Sequence, residues 1–226
     1  MLYLVPTPIG NLRDITLRAL DVLMAVDLVA CEDTRRTAKL LKFYNIEQPL
    51  LSYHEHSGPD RVAKIMHYLE NKKRVALVSD GGTPLISDPG FQLVHAAIQK
   101  GIPVEALPGA SALPTALAVS GLAVDRFSFF GFLPVKHGAR VKELESLKER
   151  EETLIFYESP YRILEVLKEM KEVFGDREAA VARELTKKFE EIARGHLSGL
   201  AEKFKKQAPR GEFVIVIAGK DQKSVL

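Results

Sequence analysis

The chain has 226 residues, 46% of them hydrophobic and 27% charged, with a net charge of +2, which suits one large domain or two small ones and excludes a uniformly basic nucleic-acid coat. Its single cysteine, Cys31, rules out an internal disulfide, reads as a small buried residue and fits a reducing compartment. No apolar stretch reaches the ~20 residues of a membrane helix and the start, "MLYLVPTPIG", has no basic leader, so a cytoplasmic protein without a membrane partner is expected.

In chain order, short β-type runs alternate with helix-type runs. Residues 2–7 read as a strand and 16–26 as a helix, with Thr16 able to cap it and Leu17, Leu20, Leu23 and Met24 on one face. A strand is expected at 27–32, a helix at 34–44, a strand at 49–54 and a helix at 59–70 with Val62, Ile65, Met66 and Leu69 inward. The most apolar strand, "RVALVS" (74–79), runs into a glycine loop, and a helix follows at 88–100 with Asp88 as N-cap and Pro89 as first residue. A strand at 103–107 and a short helix at 110–121 complete this half. Strands apolar on both faces that alternate with helices imply a mostly parallel sheet covered on both sides.

The second half differs. It reads as an aromatic strand (125–134), a charged helix (139–150), a strand (153–159), an amphipathic helix (160–174), strands at 178–186 and 189–195, a helix (198–207) and a final strand (211–219). The last three strands are close together in sequence, so a mixed sheet with antiparallel pairs is expected here. The fold class is therefore α/β with two domains, a parallel-sheet domain over 1–120 and a mixed-sheet domain over 121–226, divided near Ser120–Asp125.

In an open parallel sheet, ligands bind beyond the C-terminal ends of the strands. The loop "SDGGTPLISDPG" (79–90) starts at such an end. Asp80 offers a carboxylate, Gly81 and Gly82 allow a sharp turn and close backbone approach, and Thr83 and Ser87 offer hydroxyls. An ordinary turn accounts for Asp88 as a cap but leaves Asp80 and both glycines idle. The chain has neither GxGxxG nor GxxxxGK[ST] here, so a nucleotide held by its phosphates is not favoured. Three more loops follow predicted strands. In "VPTPIGNLRD" (5–14), two prolines fix the backbone and Asn11 and Arg13 face outward, which a plain turn explains equally well. In "ACEDTRRT" (30–37), either Asp33 or Thr34 caps a helix and Glu32 pairs with an arginine, or Glu32 and Asp33 serve as base or orienting group while Arg35 and Arg36 meet phosphate. In "LPGASA" (107–112), Ser111 either caps the next helix or touches a ligand. "YHEHS" (53–57) carries His54 and His56 but no third ligand at recognisable spacing, and no metal is expected. Basic residues cluster at 136–150, 187–188 and 203–210, either as solvated helix faces or as contacts to nucleic acid.

Taken together, "VPTPIGNL", "ACEDTR", "SDGGTPLISDPG", "LPGASA", "GFLP", "TLIFYESP", "ARELTKKFEE" and "RGEFVIVI" resemble the ribosomal RNA small subunit methyltransferase I family, a branch of the tetrapyrrole-methylase superfamily, over residues 2 to about 219. Relatives outside that branch usually carry "GxGPG" where this chain has Pro6 to Gly10, and the loop at 79–84 more often reads "SDAGTP". The resemblance implies two α/β domains with S-adenosyl-L-methionine in the cleft between them, a homodimer, and methylation of a cytidine ribose 2′-hydroxyl in 16S rRNA, free or in the small ribosomal subunit, near the decoding centre. It implies cofactor contacts from Pro8, Asp80, Gly82, Thr83, Ile86, Ser111 and Ala112, and from Phe132, Tyr157, Leu185 and Gly211. Glu32, Asp33 and Glu184 are candidate bases or orienting acceptors, and Lys187 could ease a developing oxyanion. Arg13, Arg35, Arg36, Lys136 and Arg140 are candidates for RNA phosphates.

Overall fold

A computed structural model describes residues 1–54, 57–206 and 210–222 and divides the chain into two units, Met1–Ser111 and Ala112–Leu226. The first unit contains β1 (Leu2–Leu4), α1 (Leu17–Ala25), β2 (Leu28–Cys31), α2 (Thr34–Phe43), β3 (Leu50–Ser52), α3 (Pro59–Glu70), β4 (Val75–Val78), α4 (Phe91–Gln99) and β5 (Val104–Ala106). Its strands form one sheet in the order β3-β2-β4-β1-β5, every neighbouring pair parallel.

The reason is visible in β4. All four residues of "VALV" are buried, and they alternate between two cores. Val75 and Leu77 join Leu2, Leu28, Ala30, Ile65, Met66 and Leu93 on the side covered by α3 and α4. Ala76 and Val78 join Val5, Ala19, Leu23, Val29, Cys31 and Leu41 on the side covered by α1 and α2. A period of two fed into apolar residues on both faces leaves no face for water, so helices must cover both.

The second unit contains α5 (Ala112–Ser120), β6 (Phe127–Phe132), α6 (His137–Leu147), β7 (Thr153–Glu158), α7 (Ile163–Phe174), β8 (Glu178–Arg183), β9 (Glu191–His196), α8 (Leu197–Lys206) and β10 (Phe213–Ile217). Its sheet runs β6-β7-β10-β8-β9; β6 is parallel to β7, and the remaining pairs are antiparallel. The central β10 is buried throughout, with Ile215 facing Phe156 on one neighbour and Val181 on the other. The mixed sheet follows from the short β8–β9 connection, which only an antiparallel pair can use.

Two boundaries differ from the sequence reading. The division of the chain falls before α5, because this helix packs against β8, β9 and β10. Helix α4 starts at Phe91 with Gly90 as its N-cap, at φ +146°, so Asp88 is not the cap and Pro89 is not the first helical residue. A Cβ at position 90 would lie 2.9 Å from Leu77 Cδ2, so the backbone turns into the helix only where no side chain stands in the way. Among the described residues, no helix is long and apolar enough to cross a membrane.

Candidate active site

The loops after β1, β2, β4 and β5 leave the C-terminal edge of the first sheet, and the strand order places them side by side. Parallel pairing of β1 with β4 sets Leu4 against Leu77, and the chains stay together beyond the strands. The Val5 amide donates to the Leu77 carbonyl (2.9 Å), Thr7 N to Gly82 O (2.9 Å) and Gly82 N to Thr7 O (2.8 Å), so the two loops continue as a small antiparallel bridge. The buried Thr7 hydroxyl donates to the Ser79 carbonyl at 3.0 Å. Thr83 Oγ1 donates to the Ala110 carbonyl at 3.2 Å, which ties in the loop after β5.

Asp80 ties in the loop after β2. Its Oδ1 accepts the Asp33 amide at 3.0 Å, and its Oδ2 pairs with Arg36 Nη1 at 3.3 Å. Asp33 itself caps α2: its carboxylate accepts the Arg35 amide at 2.8 Å and both sides of the Arg35 guanidinium at 3.0 and 2.7 Å. The Arg35 guanidinium holds the Asp33 carboxyl well below the usual carboxylate range. A carboxylate committed in this way is a poor proton acceptor.

Asp88 was legible only as a cap, and the structure gives it another place. The loop reverses direction with Leu85 at φ +73° and Ser87 at φ +62°, and the Asp88 carboxyl returns to the strand end beside the Ser79 side chain. Burial pushes its pKa up to about 6, against the Ser79 hydrogen bond and with added repulsion from Glu32 and Asp80. Three carboxylates thus face one small region at the ends of β2 and β4. The only sequence signal for this was the density of turn-forming residues in 79–90, which marks a loop too long for a plain strand-to-helix turn.

The sign of the linkage is set by the raised value. A carboxyl that binds its proton more tightly when folded lowers stability as pH rises from its ordinary 3.8 through about 6. After discounting for partial exposure this amounts to about 1–2 kcal/mol. Asp88→Asn removes the slope, so its stability relative to the parent chain is expected to be higher at pH 7.5 than at pH 4.5 by about that amount. Parallel thermal-unfolding profiles for the two proteins across that range would contradict it.

The remaining cofactor candidates of this unit are half-buried or exposed around these loops. Pro8 is half-buried, and its carbonyl lies 3.4 Å from where a Cβ on Gly81 would stand. Ile86 is exposed and Ser111 half-buried, whereas Ala112 is the first residue of α5 and belongs to the second unit.

In the second unit, Phe132 pairs in register with Tyr157, their rings edge-on at 5.7 Å, and Phe129 meets the same tyrosine at 4.8 Å. Leu185 is buried. Glu184 has a left-handed backbone, φ +50°, and its Oε1 accepts from Lys187 Nζ (2.8 Å) and from the Glu212 amide (3.0 Å). Lys187 also reaches Glu212 Oε2 at 2.9 Å. Burial pushes the Glu184 carboxyl up, but Lys187 and the Glu212 amide outweigh it and the net shift is downward. Lys187 shows the mirror image: burial favours the neutral amine, and the two carboxylates keep it charged. Gly211 makes this arrangement possible, since a Cβ there would lie 2.4 Å from Glu184 Cγ and its own φ is +92°.

The phosphate candidates divide. Arg13 and Lys136 are exposed, and Arg35 and Arg36 are exposed but already paired with Asp33 and Asp80. Arg140 is a correction. It is only 1% exposed, with Nε on Glu169 Oε2 at 2.5 Å, Nη2 on Glu165 at 2.9 Å and Nη1 on the Val135 carbonyl at 2.9 Å. All its donor faces are turned into the protein, so it cannot meet RNA. His137 joins the same cluster through Nδ1 and Glu169 Oε1, 2.6 Å apart. His137, Glu165 and Glu169 place donor atoms within 4.8 Å of one another, but Arg140 already serves the carboxylates as counter-ion. Cys31 is buried, which pushes its thiol up and removes it as a nucleophile. His56 lies outside the described residues.

Residues 1–201 match the model of the Tetrapyrrole (Corrin/Porphyrin) Methylases, and the parallel and mixed five-stranded sheets are the fold of solved members of that class. The solved uroporphyrin-III C-methyl transferase from Thermus thermophilus, complexed with S-adenyl homocysteine, superposes with a TM-score of 0.68 at 19% identity, covering 97% of both chains. Ribosomal RNA small subunit methyltransferase I of Bacillus subtilis (strain 168) is 51% identical over 225 residues, covering 100% of this chain and 77% of that one. The protein of that name from Thermotoga maritima is 47% identical over 220 residues, covering 97% and 99%. The chain belongs to the tetrapyrrole methylase family, in the branch of the small subunit ribosomal RNA methyltransferase I proteins, and is a methyltransferase.

Proposed function

We propose that the protein transfers the methyl group of S-adenosylmethionine to the ribose 2′-hydroxyl of a cytidine in 16S rRNA near the decoding centre, acting in the cytoplasm as a homodimer. The observation that carries this reading is the meeting of four loops at one sheet edge, hydrogen-bonded to each other through backbone and Asp80, in a chain whose relatives are named for ribosomal RNA.

The donor set fits the cofactor. A sulfonium cation with an ammonium group suits a region where Glu32, Asp80 and Asp88 concentrate negative charge, and Pro8 and Ile86 supply apolar surface beside it. Asp80, Gly82, Thr83, Ser111 and Ala112 are proposed to hold it together with these two, and Phe132, Tyr157, Leu185 and Gly211 are proposed as the contribution of the second unit. When bound, the cofactor supplies an electrophilic methyl. The protein has to align the ribose oxygen with it and exclude water, which is positioning rather than covalent work. Of the candidate bases, Asp33 is spent on Arg35, which leaves Glu32 and Glu184. Glu184, kept ionised by Lys187, would act as an acceptor that orients the hydroxyl. Lys187 would then stabilise developing negative charge. Arg13 and Lys136 are exposed at the surface and are proposed to meet phosphates, whereas Arg35 and Arg36 would have to exchange Asp33 and Asp80 for a phosphate to do so.

The test is incubation with methyl-labelled S-adenosylmethionine and either naked 16S rRNA or small ribosomal subunits. The expected product carries label on the 2′-oxygen of one cytidine, read as an alkali-resistant dinucleotide. Label on a base, or transfer to a tetrapyrrole with none to rRNA, would overturn the assignment.

A further inference from the structure

We infer that the second unit carries a subsite for a single nucleotide of the RNA substrate, with the base stacked on Phe189 and the phosphate held by Arg183 and Arg210. The inference rests on the reading above that the acceptor is ribosomal RNA.

The β8–β9 connection and the residues just before β10 line a half-open hollow of roughly 280 Å³ formed by Arg183, Glu184, Phe189, Arg210 and Gly211. That size is at the small end of ligand sites and suits one extruded nucleotide, not a duplex. Phe189 is 66% exposed, so one face of the ring is open to a ligand, and Lys188 Nζ stands 5.6 Å from its centroid. Arg183, at the end of β8, gives Nη1 to Glu191 at 3.3 Å, while its Nε is buried with no hydrogen-bond partner. Orphaned buried donors are rare in native proteins and call for a partner. Arg210 is exposed and lines the same cavity. An open aromatic ring flanked by one exposed guanidinium and by a second with an unused Nε donor is the chemistry that reads single-stranded RNA, through stacking and phosphate contact.

The cavity is also preorganised. Glu184 and Thr186 both hold left-handed backbones, at φ +50° and +63°, a conformation that non-glycine residues adopt at a cost and that gathers at ligand sites. The loop is held in that shape by the Thr186 amide on Glu190 Oε2 (2.6 Å) and by Lys187 on Glu184 (2.8 Å). Glu184 lines the same cavity, so a ribose seated there would present its hydroxyls to a carboxylate already ionised.

Phe189→Ala, Phe189→Trp and Arg210→Ala separate the possibilities, since both side chains are exposed and neither substitution disturbs the core. In methylation assays on small ribosomal subunits, Phe189→Ala is expected to raise the RNA KM about tenfold and Phe189→Trp to restore it. Arg210→Ala is expected to raise it severalfold, with a shallower dependence on salt. Calorimetric affinity for S-adenosylmethionine should stay within about twofold in all three. An RNA KM unchanged in Phe189→Ala and Arg210→Ala, while the parent enzyme methylates rRNA normally, would sink the subsite and leave the function standing. Weakened cofactor binding with unchanged RNA KM would also sink it, by giving the cavity to the cofactor. A parent protein inactive on rRNA would overturn the functional reading itself.

Discussion

Replacing Asp80 by Ala is expected to weaken S-adenosylmethionine binding by about a hundredfold or more. Two effects add. The carboxylate is the anion at the centre of the loop cluster, and its loss removes a charged partner worth about 1.5–3 kcal/mol for a cationic ligand. The same carboxylate holds the Asp33 amide at 3.0 Å and Arg36 at 3.3 Å, so the loop after β2 loses its tie to the loop after β4. Asp80→Asn separates the two, because an amide oxygen still accepts from Asp33 N while the charge is gone. Calorimetry on the three proteins reads the difference directly: Asn should fall between the parent and Ala. Full cofactor affinity in Asp80→Ala would remove Asp80 from the site.

Replacing Arg140 by Ala is expected to destabilise the second unit by about 3–5 kcal/mol, the usual consequence of leaving a buried carboxylate without its counter-ion. Glu169 is that carboxylate, and it is as buried as its partner. Burial alone would raise its pKa, yet Arg140 and His137 hold it below the usual range. A carboxyl depressed in the folded state contributes stability above its unfolded pKa of about 4.5 and loses it as pH falls through the folded value. Without Arg140 the carboxyl keeps its burial cost and loses the larger part of what offsets it, leaving His137 beside it. Thermal unfolding at pH 7 should therefore show a fall on the order of 10 °C in Arg140→Ala. The double substitution Arg140→Met with Glu169→Met should recover most of it, since an apolar pair of similar volume replaces a costly ionic one. Undiminished stability together with a loss of RNA affinity in Arg140→Ala would restore the guanidinium to a phosphate-binding role.

The contrast between these two residues shows what the chain declares locally. Asp80 stands at the end of "VALV", and a run apolar on both faces can only be an interior strand of a covered sheet. The loop after such a strand lies at the ligand-binding edge whatever the remaining topology. Arg140 sits in a charged helix, where sequence alone reads a solvated face. Its burial depends on Glu165 and Glu169 two elements further along, on α7, and on carbonyls at 134 and 135 that bend back over it.

The same distinction runs through the site. Periodicity of two and of 3.6 residues is a property of neighbouring positions, so strands, helices and the change from a parallel to a mixed sheet were legible in the amino-acid order, as was the set of four loops. The partners were not. Asp33 and Asp80 are 47 residues apart and Thr83 and Ala110 are 27 apart, and their meeting depends on the order β3-β2-β4-β1-β5, in which β4 enters between β2 and β1. Asp88 reads as a helix cap from its neighbours alone, because Asp-Pro before an apolar run is a helix start by every local rule. Two left-handed residues turn it back to Ser79 instead, and Gly90 takes the cap. By itself, then, the sequence determined which segments are strands and helices and which loops leave the C-terminal edge of the parallel sheet, since those follow from local pattern and from the covering of apolar faces. Only the tertiary structure decided which carboxylate is a hub, which is a cap and which arginine is sealed in the core, because those depend on partners that strand order brings together from far along the chain.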